Sequence, residues 1–439
     1  MPATAVILAA GFGTRMKSAI PKALHPIAGR PMLRHLIASC EAVFDRVVVV
    51  VGPDMLALQA AAAPHSSVVQ AERLGTAHAA LQAAPLFGDG EVAVLYADNP
   101  LISPVTLQRL LDRRLAGDVG LALLAMRPAD PARYGRVLAE DGIVERIVEY
   151  AEATPAERAT PLCNAGVLCG AAADMRAWLA AVTNDNAKGE YYLTDLVALA
   201  RAAGRQVAAV EAPEAELRGI NSRAELAEAE ATVQAALRLA AMDAGVTMTA
   251  PETVFLSADT VFAPDVTIGP NVVFGPGVTV ETGAEIRAFC HIEGCRIGPN
   301  AIIGPFARLR PGTTIGRAAH VGNFVELKAT SLGDGAKANH LAYLGDAEIG
   351  AASNIGAGTI TCNYDGFAKH RTVIGEGVFI GSNATLVAPV RVGAMAFVAA
   401  GSTITEGVPE QAMAFGRARQ DTKPDRARAF RAAQHPNKE

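Results

Sequence analysis

The sequence predicts an α/β, Rossmann-like domain, then a long connecting helix, then a left-handed parallel β-helix. Three observations predict this. Apolar strand-like runs, Ala5 to Leu8, Val47 to Val51 and Val92 to Leu95, alternate with helical segments such as Pro31 to Cys40 and Ala77 to Ala84 as far as about Arg218. Next, Ser222 to about Ala244 is rich in Ala, Glu, Leu and Arg and holds no Gly or Pro. Beyond it, apolar residues recur every six positions.

Each element has a physical reason. Continuous apolar strands between helices belong to a parallel sheet covered on both faces. Asn221-Ser222 can cap the long helix, and Glu225 stands three residues after Ser222, as in a capping box. The six-residue series runs Leu256, Phe262, Ile268, Phe274, Val280, Ile286, Ile292, then, after a five-residue step, Ile297, Ile303, Leu309, Ile315, Val321, Leu327. It returns at Ile349 and Ile355, and again from Ile374 through Ile380, Leu386, Val392 and Val398 to Ile404. A period of six fits hexapeptides that each form one wall of a triangular coil, the apolar residue pointing inward. Residues 338–348 and 361–373 break the register and are expected as loops pushed out of the wall, where function often sits. The tail from Arg417 lacks the repeat and is expected to be a frayed, solvated end.

Composition excludes several classes. Of 439 residues, 51% are hydrophobic, enough for more than one core, and the formal net charge of −5 points to neither nucleic acid nor an anionic membrane. No apolar stretch approaches the roughly 18 residues of a membrane span. The N-terminus shows no charged segment or cleavage site of a signal peptide. Cys40, Cys163, Cys169, Cys290, Cys295 and Cys362 form no C-x-x-C pair, so zinc and thioredoxin-like readings fail and reduced structural thiols are expected.

The strand Ala5 to Leu8 runs into Ala9-Ala10-Gly11-Phe12-Gly13-Thr14-Arg15-Met16, followed by Pro21-Lys22. A glycine-rich turn after a first strand brings backbone N–H groups to phosphate oxygens. It is neither a Walker A loop nor a dinucleotide fingerprint, since Met16 stands where the third glycine belongs. By itself such a loop is as often a tight turn as a site. Its neighbours add chemistry: Arg15 and Lys22 suit a triphosphate and a pyrophosphate leaving group, and Asp98 ends a buried strand, where a hard oxygen donor suits Mg²⁺.

These residues carry a resemblance. Leu8 to Met16 with Pro21-Lys22 is similar to the signature of sugar-phosphate nucleotidyltransferases. Gln70 with Leu74-Gly75-Thr76-Ala77, Tyr134-Gly135-Arg136, Ile147-Val148-Glu149 and Gly219-Ile220-Asn221 resemble the bacterial bifunctional UDP-N-acetylglucosamine pyrophosphorylase / glucosamine-1-phosphate N-acetyltransferase family over nearly the whole chain. The resemblance implies that Leu8, Ala9, Ala10, Gly11 and Lys22 hold UTP, with Gln70, Gly75 and Thr76 around the uracil. It implies N-acetylglucosamine at Asp98, Gly135, Glu149, Asn164 and Asn221, and Mg²⁺ on Asp98 and Asn221. Arg15 and Lys22 would act in catalysis. Ala97 and Ala165 depart from the Gly and Thr of the family pattern.

In the second half the resemblance centres on Asn339-His340-Leu341-Ala342-Tyr343-Leu344-Gly345-Asp346. Acetyl transfer to an amine needs a base, and an imidazole titrates near neutrality, so His340 is the candidate. Arg310, Lys328, Tyr343, Asn354 and Lys369 would hold glucosamine 1-phosphate. Ala357, Asn363, Tyr364, Ser382, Ala400 and Arg417 would hold acetyl-CoA. A covalent acetyl-Cys362 is the weaker alternative, because the sequence places no base beside it. Between Asn221 and Arg310 the chain is about one coil shorter than the family pattern.

The implied domains are a uridyltransferase over 1–221, a linker helix over 222–245, a β-helix acetyltransferase over 246–416 and a basic tail over 417–439. The resemblance further implies a homotrimer, a cytoplasmic location and a product used in cell-wall synthesis. A single-activity nucleotidyltransferase with a regulatory or oligomerising β-helix would have lost His340, Arg310, Lys328 or Tyr343. A non-catalytic assembly subunit would have lost Arg15, Lys22, Asp98 or Asn221. All are present.

Overall fold

The computed structural model describes residues 2–131, 134–186 and 188–434. The chain divides into two compact units, Met1–Gln234 and Ala235–Glu439. In the first, the apolar runs become strands of a nine-stranded sheet in the order Ser66–Val69, Arg46–Val51, Ala3–Leu8, Glu91–Tyr96, Cys163–Ala171, Val119–Met126, Gln206–Glu211, Ile143–Val148, Arg136–Glu140. Alternate residues face opposite cores. Ala5, Ile7, Val47 and Val49 meet the helices Met32–Glu41 and Pro104–Leu115. Val6, Leu8, Val48 and Val50 meet Thr76–Gln82, Ala172–Ala181 and Leu196–Ala202. Burial on both faces is why these strands read as unbroken apolar runs.

The sheet is mixed, which corrects the parallel sheet expected from the sequence. Cys163–Ala171 lies antiparallel between Glu91–Tyr96 and Val119–Met126, and Arg136–Glu140 pairs with Ile143–Val148 as an antiparallel ribbon. A strand buried on both faces has the same apolar composition in either direction, so composition alone does not reveal the reversal. The four strands nearest the glycine-rich loop are parallel, and they place the loop and Asp98 at the same sheet end.

The long helix spans Arg223–Asp243. Glu225 Oε2 accepts from the Ser222 N–H at 2.8 Å, and the Glu225 N–H donates to Ser222 Oγ at 3.2 Å, so the capping box is closed.

The second unit is a left-handed β-helix of three parallel walls with 10, 8 and 8 short strands. On one wall Ile268, Ile286, Ile303, Val321, Ala338, Ile355, Ile380 and Val398 stand in register, each buried on the next. Of the inward series read from the sequence, Phe262 alone is only partly buried, packed on the rim of this core.

One expected loop is not a loop. Lys337–His340, Tyr343–Gly345 and Ala347–Ile349 continue the walls, with Ala338 and Leu344 fully buried. A small Ala at an inward position and five-residue steps from Leu327 to Leu332 and from Leu344 to Ile349 hide the period. The other break is real. After Ile360–Cys362 the chain leaves the wall and returns at Thr372–Ile374, the excursion pinned by a Tyr364–Lys369 bridge. Before it, Thr361 takes the inward place, accepting from the Gly345 N–H at 2.8 Å. The tail is exposed as expected but forms a helix, Arg426–Gln434; residues 435–439 lie outside the described residues.

Leu344 is fully buried in the β-helix core, so Leu344→Ala is expected to cost the β-helix about 2–5 kcal/mol. Chemical denaturation followed by far-ultraviolet circular dichroism checks this. A loss below about 1 kcal/mol would mean that the coil collapses onto the gap.

Candidate active sites

At the carboxyl ends of the parallel strands in the first unit, four predicted residues meet. Lys22 Nζ forms a short ion pair with Asp98 Oδ2 and donates to Asn221 Oδ1 at 3.1 Å. Arg15 Nη2 donates to the same Asn221 oxygen at 2.7 Å. Asn221 is brought there by the chain before the long helix: the Ile220 N–H donates to the Asp98 carbonyl at 2.8 Å. Two cations, one carboxylate and one amide oxygen thus converge from four separate parts of the sequence.

Two adjoining cavities flank this cluster. The first is lined by Leu8, Ala9, Ala10, Gly11, Lys22, Gln70, Gly75, Thr76 and Asp98, as the sequence predicts, and also by Arg73 and Tyr96, which it did not single out. Gly11 has nothing within 4 Å of where a Cβ would stand, so its backbone faces open space. Gln70 is buried and donates to the Gly75 carbonyl at 3.1 Å. Gly75 has φ 124° and a Cβ there would lie 2.4 Å from the Tyr191 carbonyl oxygen, so only glycine fits.

The second cavity, about 740 Å³, is lined by Arg15, Asp98, Gly135, Glu149, Asn164 and Asn221, and by the unpredicted Tyr192 and Thr194. Burial raises the Glu149 pKa, and the Thr194 hydroxyl donates to it at 3.4 Å. Asn164 Oδ1 accepts from the Gly166 N–H at 3.0 Å, which fixes that side chain at the cavity wall. Burial also lifts the Tyr96 phenol to about 12, so it stays protonated between the cavities. Ala97 and Ala165 line the first and second cavity respectively, and each adds only a methyl group.

In the second unit His340 ends a wall strand directly above Asn323. Its Nδ1 lies 2.7 Å from Asn323 Oδ1, so that nitrogen carries the proton and Nε2 is free to accept one. Asn323 was invisible to motif reading. The signal that finds it is the coil period, which sets it 17 residues before His340 on the same corner.

The predicted cations gather on the neighbouring wall. Arg310 Nη1 donates to Glu326 Oε1 at 3.0 Å, and Lys328 pairs with Asp346 at 3.7 Å. Lys369 reaches back from the loop to Lys328, whose ammonium lowers the Lys369 pKa. Asn363 also bonds Asp346, and a Cβ on Gly345 would lie 2.5 Å from the Tyr343 hydroxyl, so glycine makes room for that ring. With Arg308 also 4.0 Å from Glu326, four cations against two carboxylates form a place that a dianion would relieve. Asn354 lies apart from this cluster, on the wall that ends at the His340 corner.

That corner changes character along the β-helix. Phe289, Phe306 and Phe324 stack at 4.8 and 5.2 Å between ring centroids, half exposed. Leu341 follows, and then the large apolar side chains end: Gly358, Asn383 and Gly401 take the equivalent turns, with the Asn383 amide oxygen over Gly358. Predicted Ala357, Ser382 and Ala400 flank those turns, and Arg417 passes beside Gly401. The result is a polar track of small turn residues starting at His340. Asn363 and Tyr364 belong instead to the opposite edge of the cation wall, where the loop leaves it.

Residues 5–191 match the MobA-like NTP transferase domain, and residues 294–329 and 371–406 match the bacterial transferase hexapeptide (six repeats). Among curated relatives, the bifunctional protein GlmU of Gluconacetobacter diazotrophicus is 68% identical, over 100% of this chain and 96% of that protein. Those of Granulibacter bethesdensis and Acidiphilium cryptum are 68% and 65% identical, each over 98% of this chain and over 96% and 98% of their own lengths.

Because the backbone at Gly75 is both left-handed and crowded, Gly75→Ala is expected to cost the first unit about 1–3 kcal/mol. The chain's one tryptophan, Trp178, is buried in that unit and reports its unfolding by fluorescence. An unchanged midpoint would mean that the loop shifts away from Tyr191 without penalty.

Proposed function

This chain belongs to the bifunctional GlmU family, and from that premise we propose that it makes UDP-N-acetylglucosamine in two steps. It first acetylates glucosamine 1-phosphate with acetyl-CoA, then transfers UMP from UTP to the N-acetylglucosamine 1-phosphate and releases pyrophosphate. Carrying the reading is the presence, in one chain, of two complete cation-rich sites, one at a sheet end beside an open glycine loop and one on a β-helix wall beside an oriented histidine.

In the second unit the amine nitrogen attacks the thioester carbonyl. A C–N bond forms, the C–S bond breaks, His340 Nε2 takes the ammonium-derived proton, and coenzyme A leaves as the thiol once protonated. Asn323 holds the base in the right tautomer. Arg310, Lys328 and Lys369 neutralise the sugar phosphate, with Tyr343 and Asn354 completing the sugar site. Ala357, Ser382, Ala400 and Arg417 line the track for acetyl-CoA, with Asn363 and Tyr364 across the wall.

In the first unit an oxygen of the sugar phosphate attacks the α-phosphorus, and the bond to pyrophosphate breaks. No protein nucleophile is needed, so positioning and charge neutralisation carry the catalysis. Lys22 and Arg15 meet the phosphates, the Leu8–Gly11 backbone and Gln70, Gly75 and Thr76 hold the nucleotide, and Gly135, Glu149 and Asn164 hold the sugar. Asp98 Oδ2 and Asn221 Oδ1 already converge on one cation, the Lys22 ammonium. Hard oxygens so placed fit Mg²⁺ that arrives with a triphosphate. When bound, the ion neutralises the charge that develops on the phosphates.

The reading extends to a homotrimer in the cytoplasm. The half-exposed Phe289–Phe306–Phe324 ladder is apolar surface that a second copy would cover. Among the described residues no helix is long and apolar enough to cross a membrane.

The test supplies glucosamine 1-phosphate, acetyl-CoA, UTP and Mg²⁺ and follows free thiol and pyrophosphate separately. His340→Ala is expected to abolish thiol release yet still release pyrophosphate when N-acetylglucosamine 1-phosphate is supplied, and Asp98→Ala to abolish pyrophosphate release while thiol release continues. Wild-type protein that forms pyrophosphate from supplied N-acetylglucosamine 1-phosphate but never releases thiol would sink the acetyltransferase half. In the same assay Asn323→Ala is expected to lower kcat for acetyl transfer roughly 10- to 100-fold, while Asn323→Asp, which still accepts from Nδ1–H, retains most of it.

A further inference from the structure

Arg73 makes two unlike contacts with the glycine-rich loop. Its Nε donates to the Ala10 carbonyl at 2.7 Å. Its guanidinium carbon stands 3.8 Å from the centroid of the Phe12 ring, a side chain that is otherwise 59% exposed. A third observation shows that the fold makes room for it. Gly52 follows the Arg46–Val51 strand, and a Cβ there would lie 2.3 Å from Arg73 Nη2.

We propose that Arg73 and Phe12 act together as positioning residues, locking the phosphate-facing Ala9–Gly13 loop onto the Gln70–Thr76 loop. The anchor end is rigid. The Gln70 N–H donates to the Val51 carbonyl at 2.8 Å, its side chain ties to Gly75 and His78, and Gly75 packs on Tyr191. The loop end has no such bracing at Gly11, which faces open space. A guanidinium can hydrogen-bond along its edge and stack through its face at once, and an ammonium cannot. Through Arg73 the two walls of the nucleotide cavity become one body, so the loop N–H groups are aimed before the triphosphate arrives rather than ordered by it. This inference rests on the reading that the first unit binds UTP.

A double-mutant cycle tests it, with pyrophosphate release measured at varied UTP. Arg73→Ala and Phe12→Ala are each expected to lower kcat/KM for UTP roughly 10- to 100-fold, mainly through KM. The KM for N-acetylglucosamine 1-phosphate is expected to stay within about 3-fold. The double variant is expected to be little worse than the worse single one, because both remove the same lock. Arg73→Lys is expected not to restore the wild-type KM. Acetyl transfer and the Trp178 unfolding midpoint serve as folding controls, and Arg73→Gln replaces Arg73→Ala should the latter unfold. A silent Phe12→Ala, or fully additive effects, would overturn the lock. Wild-type protein that releases no pyrophosphate from UTP would instead overturn the reading beneath it.

Discussion

Coil stacks on coil in the second unit, and that backbone constraint fixes where every functional side chain stands. Parallel hydrogen bonds hold each wall strand in register with the strand one turn earlier, so residues 17 or 18 apart become neighbours. The inward column must then be apolar or, like Thr361, hydrogen-bonded within the coil. The outward residues are free to differ, and differ by position along the column. At one corner the same turn carries phenylalanine in three coils, leucine beside the histidine, and glycine or asparagine beyond it. A repeating scaffold thereby changes from an apolar edge to a polar one without altering its backbone. The histidine stands at the transition, and the asparagine that orients it is simply the residue one coil below.

The first unit solves a different problem. Its cations would repel one another and its carboxylate would repel a triphosphate. Lys22 sits between Asp98 and Asn221, and Arg15 shares the Asn221 oxygen, so the resting site is ordered and keeps one positive charge in excess. A triphosphate would bring negative charge for the two cations, and Asp98 and Asn221 would hold the metal ion that accompanies it. That arrangement needs groups from distant parts of the chain at one sheet end. Parallel strands deliver three of them there, and the capped start of the long helix delivers Asn221.

Much of this was legible in the sequence because it follows from local chemistry. Apolar runs mark strands buried on both faces, Ser222 and Glu225 mark a helix start, and the six-residue period marks a β-helix. What stayed hidden has physical causes. The antiparallel Cys163–Ala171 strand is as apolar as its parallel neighbours, so direction leaves no trace in composition. The wall around Leu344 reads as a loop in the sequence because alanine replaces a larger inward residue and two corners are one residue short. Of the site residues carried by motifs, those of the first half line two adjoining cavities, while those of the second half divide between the cation wall, its far edge and the His340 corner. Arg73, Asn323 and Glu326 did not announce themselves, since each matters through partners set by tertiary register rather than through a neighbouring motif.

Most of the thiols are packing groups; Cys362, the one weighed as an acyl carrier, is only half-buried and stands apart from them. Burial pushes Cys290 up to about 11 and Cys295 to about 12, and raises Cys40 and Cys169 further, so these side chains stay protonated and pack as small apolar groups. A thiol held that way is a poor nucleophile, whereas an imidazole with one nitrogen tied to an amide oxygen is a ready base. The two halves therefore share a strategy on unrelated frameworks. Each fixes a polar group through a neighbour distant in sequence, surrounds the phosphate with partly neutralised cations, and lets one substrate attack the other. What the protein contributes is order established before the substrates meet, and the repeating wall and the sheet end are two ways of holding that order.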